Sequence, residues 1–271
     1  MRVAICQMHS GPDVEDNLDE AEALVRAAAD EGADLAALPE YLEFMGPAAD
    51  RRAVAQPVPG STADRLSAVA ADRGIWVLAG GILEADGAKV YDTSVMFDRT
   101  GEIVARYRKI HLFDVELPDQ PPIRESATIT GGDQLVTTRV EETRFGFSIC
   151  YDVRFPELYR GLMTAGAEVL CVPSQFQFTT GKDHWHTLLR ARAIENQCFV
   201  VAPGQWGPFG DPAEGRRSYG HSLVVDPWGR IVIEAPEEGT GVWIADLDLA
   251  ALRSLRQRFP ALQHRRLGAS C

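Results

Sequence analysis

The sequence predicts a mixed α/β domain, and three observations carry that prediction. Short apolar runs alternate with Ala-rich amphipathic stretches along nearly the whole chain. Gly or Pro marks most of the changes from one period to the other. Two pairs of strand-like runs are joined by tight turns, Asp98-Arg99-Thr100-Gly101 and Asp226-Pro227-Trp228-Gly229.

The elements follow in order. Val3 to Gln7 is apolar and reads as a strand. Asn17 to Glu31 is an amphipathic helix stopped by Gly32. Leu35 to Leu38 is a short strand. Thr62 to Arg73 is a helix capped by Ser61 or Thr62 and ended by Gly74. Ile75 to Leu83 is a strand in which Gly80-Gly81 marks a bulge or a close backbone approach. Val90 to Phe97 and Glu102 to Tyr107 form a hairpin. Asp114 to Gly132, with Pro118, Pro121 and Pro122, reads as a long irregular loop, a kind of segment that often carries function. Thr143 to Ile149 is a strand, Pro156 to Ala165 a helix with proline in its first turn, and Glu168 to Val172 a strand. Asp183 to Gln197 is a helix and Cys198 to Ala202 a strand. Gly204 to Arg217 is Gly- and Pro-rich and reads as a loop. Leu223 to Ile233 is the second hairpin, Val242 to Leu247 the last strand, and Leu249 to Arg258 a closing helix. No internal repeat or linker is visible, so residues 1–271 read as one domain. Its sheet is either mixed or split into two, with helices covering it.

Composition narrows the function. With 27 Lys and Arg against 39 Asp and Glu the net charge is −12, which leaves no basic excess for nucleic acid or for an anionic membrane. No apolar run approaches a membrane span. The five cysteines are odd in number and lack a Cys-x-x-Cys pair, which predicts free thiols and a cytoplasmic setting.

Three segments then stand out. Cys150 ends an apolar strand and faces the start of a helix, whose unpaired N–H groups and dipole would favour a thiolate and a developing oxyanion. Glu40 follows the strand closed by Leu38-Pro39, and Lys109 follows the strand ending near Tyr107. Ligands of α/β sheets bind outside the carboxyl ends of strands, where the three can meet.

The strings Leu38-Pro39-Glu40, Tyr107-Arg108-Lys109-Ile110-His111-Leu112-Phe113-Asp114 and Ile149-Cys150-Tyr151-Asp152-Val153-Arg154-Phe155-Pro156-Glu157 resemble the three signature regions of the nitrilase superfamily of carbon–nitrogen hydrolases. The resemblance runs from Val3 to about Arg266. It implies a four-layer α-β-β-α sandwich, a homodimer or higher homo-oligomer, no cofactor, and Glu40, Lys109 and Cys150 as catalytic residues, with Glu125 as a second glutamate. Further strings, including Tyr219-Gly220-His221-Ser222 and Gln263-His264-Arg265-Arg266, are most similar to the branch of amidases acting on deaminated glutathione. The neighbouring ω-amidase branch shares most of them. Nitrilases and N-carbamoyl amino acid hydrolases share the triad and fit the surrounding strings less well.

These residues suit amide hydrolysis. Cys150 would attack the carbonyl as Glu40 takes its proton. Lys109 and the backbone N–H of Tyr151 would hold the oxyanion. A thioester would form and be hydrolysed by water that Glu40 activates. A carboxylate on the substrate would need a cationic partner, for which Arg154, Arg216 and Arg217 are candidates, although Arg154 could instead pair with Asp152 or Glu157. Phe176 and Trp185 are candidate pocket walls or core. Arg190, Arg192 and Glu195 read as an internally paired helix face.

Other chemistries fit less well. His184 and His186 lie two apart on a predicted helix and would point apart, so no metal is expected there. The local pattern around Cys150 is wrong for a papain-like Cys–His pair, and no phosphate-binding or dinucleotide motif occurs. A scaffold protein would have no use for Cys150, Glu40 and Lys109 together.

Overall fold

A computed structural model describes residues 1–117, 121–210 and 215–267. Strand β1 (Arg2–Gln7) leads into helix α1 (Val14–Asp30). The Asp13 carboxylate caps α1 by accepting from the N–H groups of Glu15 and Asp16, so the helix begins ahead of the expected Asn17. Then come β2 (Leu35–Ala37), the short α2 (Arg51–Val54), α3 (Ser61–Arg73), β3 (Trp76–Asp86), β4 (Lys89–Phe97) and β5 (Ile103–Arg108).

The segment expected to be an irregular loop after β5 contains a two-residue pairing of β6 (Asp114–Val115) with β7 (Ile123–Arg124). Strands β8 (Thr137–Val140) and β9 (Thr143–Phe147) follow, then α4 (Pro156–Thr164), β10 (Val169–Cys171), α5 (Phe178–Asn196) and β11 (Phe199–Ala202). Helix α5 starts well before the expected Asp183. Gly181 reads as a breaker, but it lies inside the helix because the Tyr219 ring packs on it; a Cβ there would sit 2.4 Å from that ring.

The Gly- and Pro-rich stretch after Pro203 is a second small hairpin rather than a plain loop, β12 (Trp206–Pro208) against β13 (Arg217–Tyr219). The chain ends with β14 (Leu223–Val225), β15 (Ile231–Glu234), β16 (Gly241–Asp246) and α6 (Leu249–Arg258).

The large strands form two six-stranded sheets, ordered β16-β1-β2-β3-β4-β5 and β15-β14-β11-β10-β9-β8. Ala4, Ala36, Val77 and Val95 of the first sheet pack on Leu18, Leu24, Leu66 and Val69 of α1 and α3. The alternate residues Val3, Ile5, Leu35, Leu78 and Met96 share a core with Phe145, Phe147, Val201 and Leu223 of the second sheet. That core continues to Leu158, Leu162, Trp185 and Leu189 of α4 and α5. Period-two alternation within buried strands thus produces the four-layer α-β-β-α sandwich that the resemblance implied.

The two sheets also repeat one topology, which the sequence does not reveal. Read as β16-β1-β2-β3-β4-β5 and as β8-β9-β10-β11-β14-β15, both run antiparallel, parallel, parallel, antiparallel, antiparallel. Helices cross between the parallel strands in each half. The arrangement brings the carboxyl ends of β2, β9 and β10 together at one edge of the sandwich.

Candidate active site

Each functional side chain sits just beyond a strand. Glu40 follows β2, Lys109 follows β5 and Cys150 follows β9. The loop after β10 ties two of these together: Pro173 O accepts the Cys150 N–H at 2.9 Å, and the Gln175 N–H donates to Glu40 Oε2. Gly80 and Gly81 mark both a bulge in β3 and a close approach, as their sequence context predicts. A Cβ on Gly80 would lie 2.1 Å from Leu38 O, and one on Gly81 would lie 2.5 Å from Asp92 Oδ1 and 3.1 Å from Glu40 Cα. Side chains there would push the Glu40 loop off the sheet.

Lys109 is the hub. Its ammonium donates to Glu40 Oε1 at 2.7 Å and to Glu125 Oε1 at 2.9 Å, and it lies 3.6 Å from Asp92 Oδ2. Glu125 also accepts the Tyr41 hydroxyl at 2.6 Å and the Phe113 N–H at 2.6 Å. All five charged or polar partners, Glu40, Tyr41, Asp92, Lys109 and Glu125, are buried. Burial alone would lower the Lys109 pKa, but the charges of Glu125 and Glu40 outweigh it and hold the amine well above its ordinary value. Burial likewise opposes ionisation of Glu125. The Lys109 charge, Tyr41 and the Phe113 N–H together reverse that and keep the carboxyl below its ordinary range.

Cys150 is set differently from the sequence expectation. Helix α4 begins only at Pro156; Cys150 itself opens a 3₁₀ turn, Cys150–Arg154, with a left-handed φ of 45°. A left-handed side-chain-bearing residue is uncommon and marks a tightly constrained turn. Burial and the neighbouring Glu40 charge push its thiol well above the ordinary range, with Lys109 opposing. Both influences favour the thiol over the thiolate. Its Sγ–H points to Gln175 O at 3.5 Å.

A cavity of about 300 Å³ opens onto this cluster. Glu40, Lys109, Glu125, Cys150, Tyr151, Arg154, Phe176 and Arg216 all line it. Trp185 and Arg217 are not brought to it. The Trp185 indole N–H donates to His221 O at 2.8 Å within the core, and Arg217 pairs with Glu237 and Glu238. Arg154 does not take Asp152, whose carboxylate accepts from Tyr107 OH, Ile149 N and His111 N and lies 2.7 Å from His111 Nδ1. Its guanidinium lies instead over Phe176 at 5.3 Å and 3.1 Å from His184 Nδ1. The expected pairing within α5 is present between Arg192 and Glu195 at 2.8 Å.

His184 and His186 diverge as expected, one to Arg154 and the other to Glu234. His221 also meets Glu234, at 2.7 Å.

Sequence reasoning missed Tyr41, Arg51, Asp92 and Gln175. Asp92 carried a signal: it is the one charged residue in the run Val90-Tyr91-Asp92-Thr93-Ser94-Val95, within a strand of the first hairpin. Arg51 carried none. Its α2 segment packs its guanidinium over the Tyr41 ring at 4.7 Å, and it lines the cavity.

The site thus sets a buried thiol beside a pair of carboxylates linked by one ammonium, within a four-layer sandwich. The chain belongs to the carbon–nitrogen hydrolase family, whose model matches residues 2–257, and it is an enzyme of that class acting on a non-peptide amide. It is 44% identical over 272 residues to the deaminated glutathione amidase of Bos taurus, covering 97% of this chain and 81% of that one. It is 37% identical over 265 residues to an omega-amidase of Mus musculus, covering 98% and 95%. Among solved structures, the NitFhit protein of C. elegans superposes with a TM-score of 0.89 at 37% identity; the match covers 98% of this chain and 65% of that one. An amidase from Nesterenkonia sp. AN1, solved with acrylamide added at its active site cysteine, superposes with a TM-score of 0.78 at 27% identity, covering 97% and 99%.

Proposed function

We propose that this protein is an amidase that hydrolyses the amide of small carboxylate-bearing ω-amides, deaminated glutathione first among them, through a thioester on Cys150. The observation that carries the reading is the buried Glu40–Lys109–Glu125 cluster beside the Cys150 thiol, at the floor of a cavity that Arg51, Arg154 and Arg216 also line.

In this reading Glu40 takes the Cys150 proton as sulfur bonds to the amide carbon. The carbonyl electrons move to oxygen, where the Lys109 ammonium and the Tyr151 N–H balance the charge. Collapse breaks the C–N bond, and Glu40 returns the proton to the departing nitrogen. Water then attacks the thioester with Glu40 again as base, which frees the acid and restores the thiol. Glu125 orients Lys109 through the 2.9 Å bond. The arginines hold the substrate carboxylate by charge-assisted hydrogen bonds. Both the named activity of the Bos taurus relative and the cysteine adduct of the Nesterenkonia amidase support this assignment.

A second substrate, a 2-oxoglutaramate-like acid, is supported by the omega-amidase relative. The two separate by product. Deaminated glutathione yields cysteinylglycine without ammonia, whereas 2-oxoglutaramate yields ammonia, so parallel amine and ammonia assays at matched concentrations rank them. Faster turnover of neutral amides or nitriles than of either acid would remove the carboxylate requirement.

The protein acts as a homodimer in a reducing, cytoplasmic compartment. The exposed apolar side chains Trp228 and Phe259, in ring contact at 6.0 Å, support association, and the four described cysteines are free. Light scattering that gives a monomer mass at micromolar concentration contradicts the dimer. No helix among the described residues is long and apolar enough to cross a membrane.

A further inference from the structure

We infer that Asp92 is a positioning residue that stands protonated at the floor of the site and holds Glu40 by donating a hydrogen bond to it. The inference rests on the catalytic reading of Glu40 and goes beyond the Cys150, Glu40, Lys109 and Glu125 roles.

Charges and donors around the cluster are fewer than its carboxyl groups need. Three carboxyl groups, Glu40, Asp92 and Glu125, place oxygens within 4.8 Å of one another, all buried. Two cations face them, Lys109 from the end of β5 and Arg51 from α2, and the Tyr41 hydroxyl is the remaining ionisable neighbour besides the Cys150 thiol. Two positive charges balance two carboxylates, so the third would be an uncompensated buried charge, which a water-excluded interior strongly disfavours.

Donors decide which group holds the proton. Glu40 accepts from the Lys109 ammonium and the Gln175 N–H. Glu125 accepts from Lys109, Tyr41 and the Phe113 N–H. Asp92, 0% exposed, accepts from no hydrogen-bond donor at either oxygen and only approaches Lys109 at 3.6 Å. An ionised carboxylate in that position would have the Lys109 charge at 3.6 Å and no hydrogen-bond donor at all. A carboxylic acid there has an O–H to give, and Glu40 is in reach, since the two side chains flank Gly81 and bring carboxyl oxygens within 4.8 Å of each other. Burial first, and then the Glu40 charge, push the Asp92 carboxyl well above the usual range, in the same direction as the donor count.

The consequence is mechanical. Lys109 and Asp92 fix the Glu40 carboxylate from two sides, and the Gly81 backbone leaves room for the contact. A proton on Asp92 turns repulsion between like charges into a hydrogen bond and leaves Glu40 as the base that faces Cys150. Buried catalytic carboxyls that share a site commonly divide their protons in this way.

The test compares Asp92→Asn with Asp92→Ala and reads the infrared spectrum of the resting enzyme. A carboxamide keeps a carbonyl and an N–H donor, so it mimics the acid and not the carboxylate. Asp92→Asn should keep kcat within about threefold of wild type. Asp92→Ala should lower kcat roughly 10- to 100-fold with little change in KM, the scale of a small misplacement of a reacting group. At a pH above the Glu43 titration, wild type should show a protonated-carboxyl carbonyl stretch that Asp92→Asn lacks. Equal loss in both variants with native circular dichroism, no loss in either, or absence of the band in wild type would overturn the inference. The band is read without turnover, so it stands or falls separately from the amidase reading, which fails if Cys150→Ala remains active.

Discussion

Glu43 offers a quantitative test of how this molecule stores buried charge. It lies on the same buried loop as Glu40 and is only 2% exposed. One carboxylate oxygen accepts the Leu83 N–H, and the other, Oε2, has no partner. Burial raises its pKa from an ordinary 4.5 to about 7. The folded protein therefore binds more protons than the unfolded chain between pH 4.5 and about 7, and its stability falls as pH rises through that window. A shift of this size at 1.36 kcal/mol per unit amounts to about 3 kcal/mol, fully lost above the folded pKa. Replacing Glu43 by Gln keeps an acceptor for Leu83 and removes the charge. The variant should match wild type near pH 4 and exceed its unfolding free energy by up to about 3 kcal/mol at pH 8. Urea unfolding of both proteins at several pH values measures this, and titration of other carboxyls cancels in the difference. A pH-independent difference, or a less stable variant at pH 8, would refute the reasoning.

Other outcomes follow from the site. Cys150→Ala should abolish turnover with little loss of stability, since one small buried group is removed, and mass spectrometry of wild type trapped with substrate should show the acyl adduct on Cys150 rather than on Cys171 or Cys198. Lys109→Met should cost at least roughly 10²-fold in kcat and, by leaving Glu40 and Glu125 without their shared cation, about 3–5 kcal/mol of stability in denaturant unfolding. Arg154→Ala should raise KM for an acidic amide far more than it lowers kcat, because a remote contact binds ground and transition states alike; steady-state kinetics with the acid and its ester separate the two. Dialysis against a chelator should leave amide hydrolysis unchanged, and activity lost there and restored by zinc would contradict the metal-free mechanism.

Much of the molecule was legible in local sequence, for physical reasons that are themselves local. Continuous apolar runs such as Val3 to Gln7 make strands buried on both faces, and Gly32 and Gly74 end helices because a left-handed residue is needed there. Glu40, Lys109 and Cys150 stand in strings long enough to mark a family, and Gly80-Gly81 announced a crowded backbone. What failed was non-local. Gly181 could not be seen as helical without the Tyr219 ring that covers it, and β12 and β13 pair across residues that offer only turn signals.

The sequence by itself therefore determined the fold class and singled out Glu40, Lys109 and Cys150 as candidates, because each is written in a contiguous run. Only the tertiary structure decided which other side chains share their cavity and in what charge state. Arg51, Tyr41 and Asp92 reach the site from α2, from the loop after β2 and from β4, and Trp185 and Arg217 are turned away from it. A thiol expected to be favoured as thiolate is instead held protonated, since the dominant influences on Cys150 are its burial and Glu40, a residue 110 positions away in the chain. Proton affinity depends on solvent exclusion and on charges assembled from distant segments, and neither is a property of the neighbouring residues in sequence.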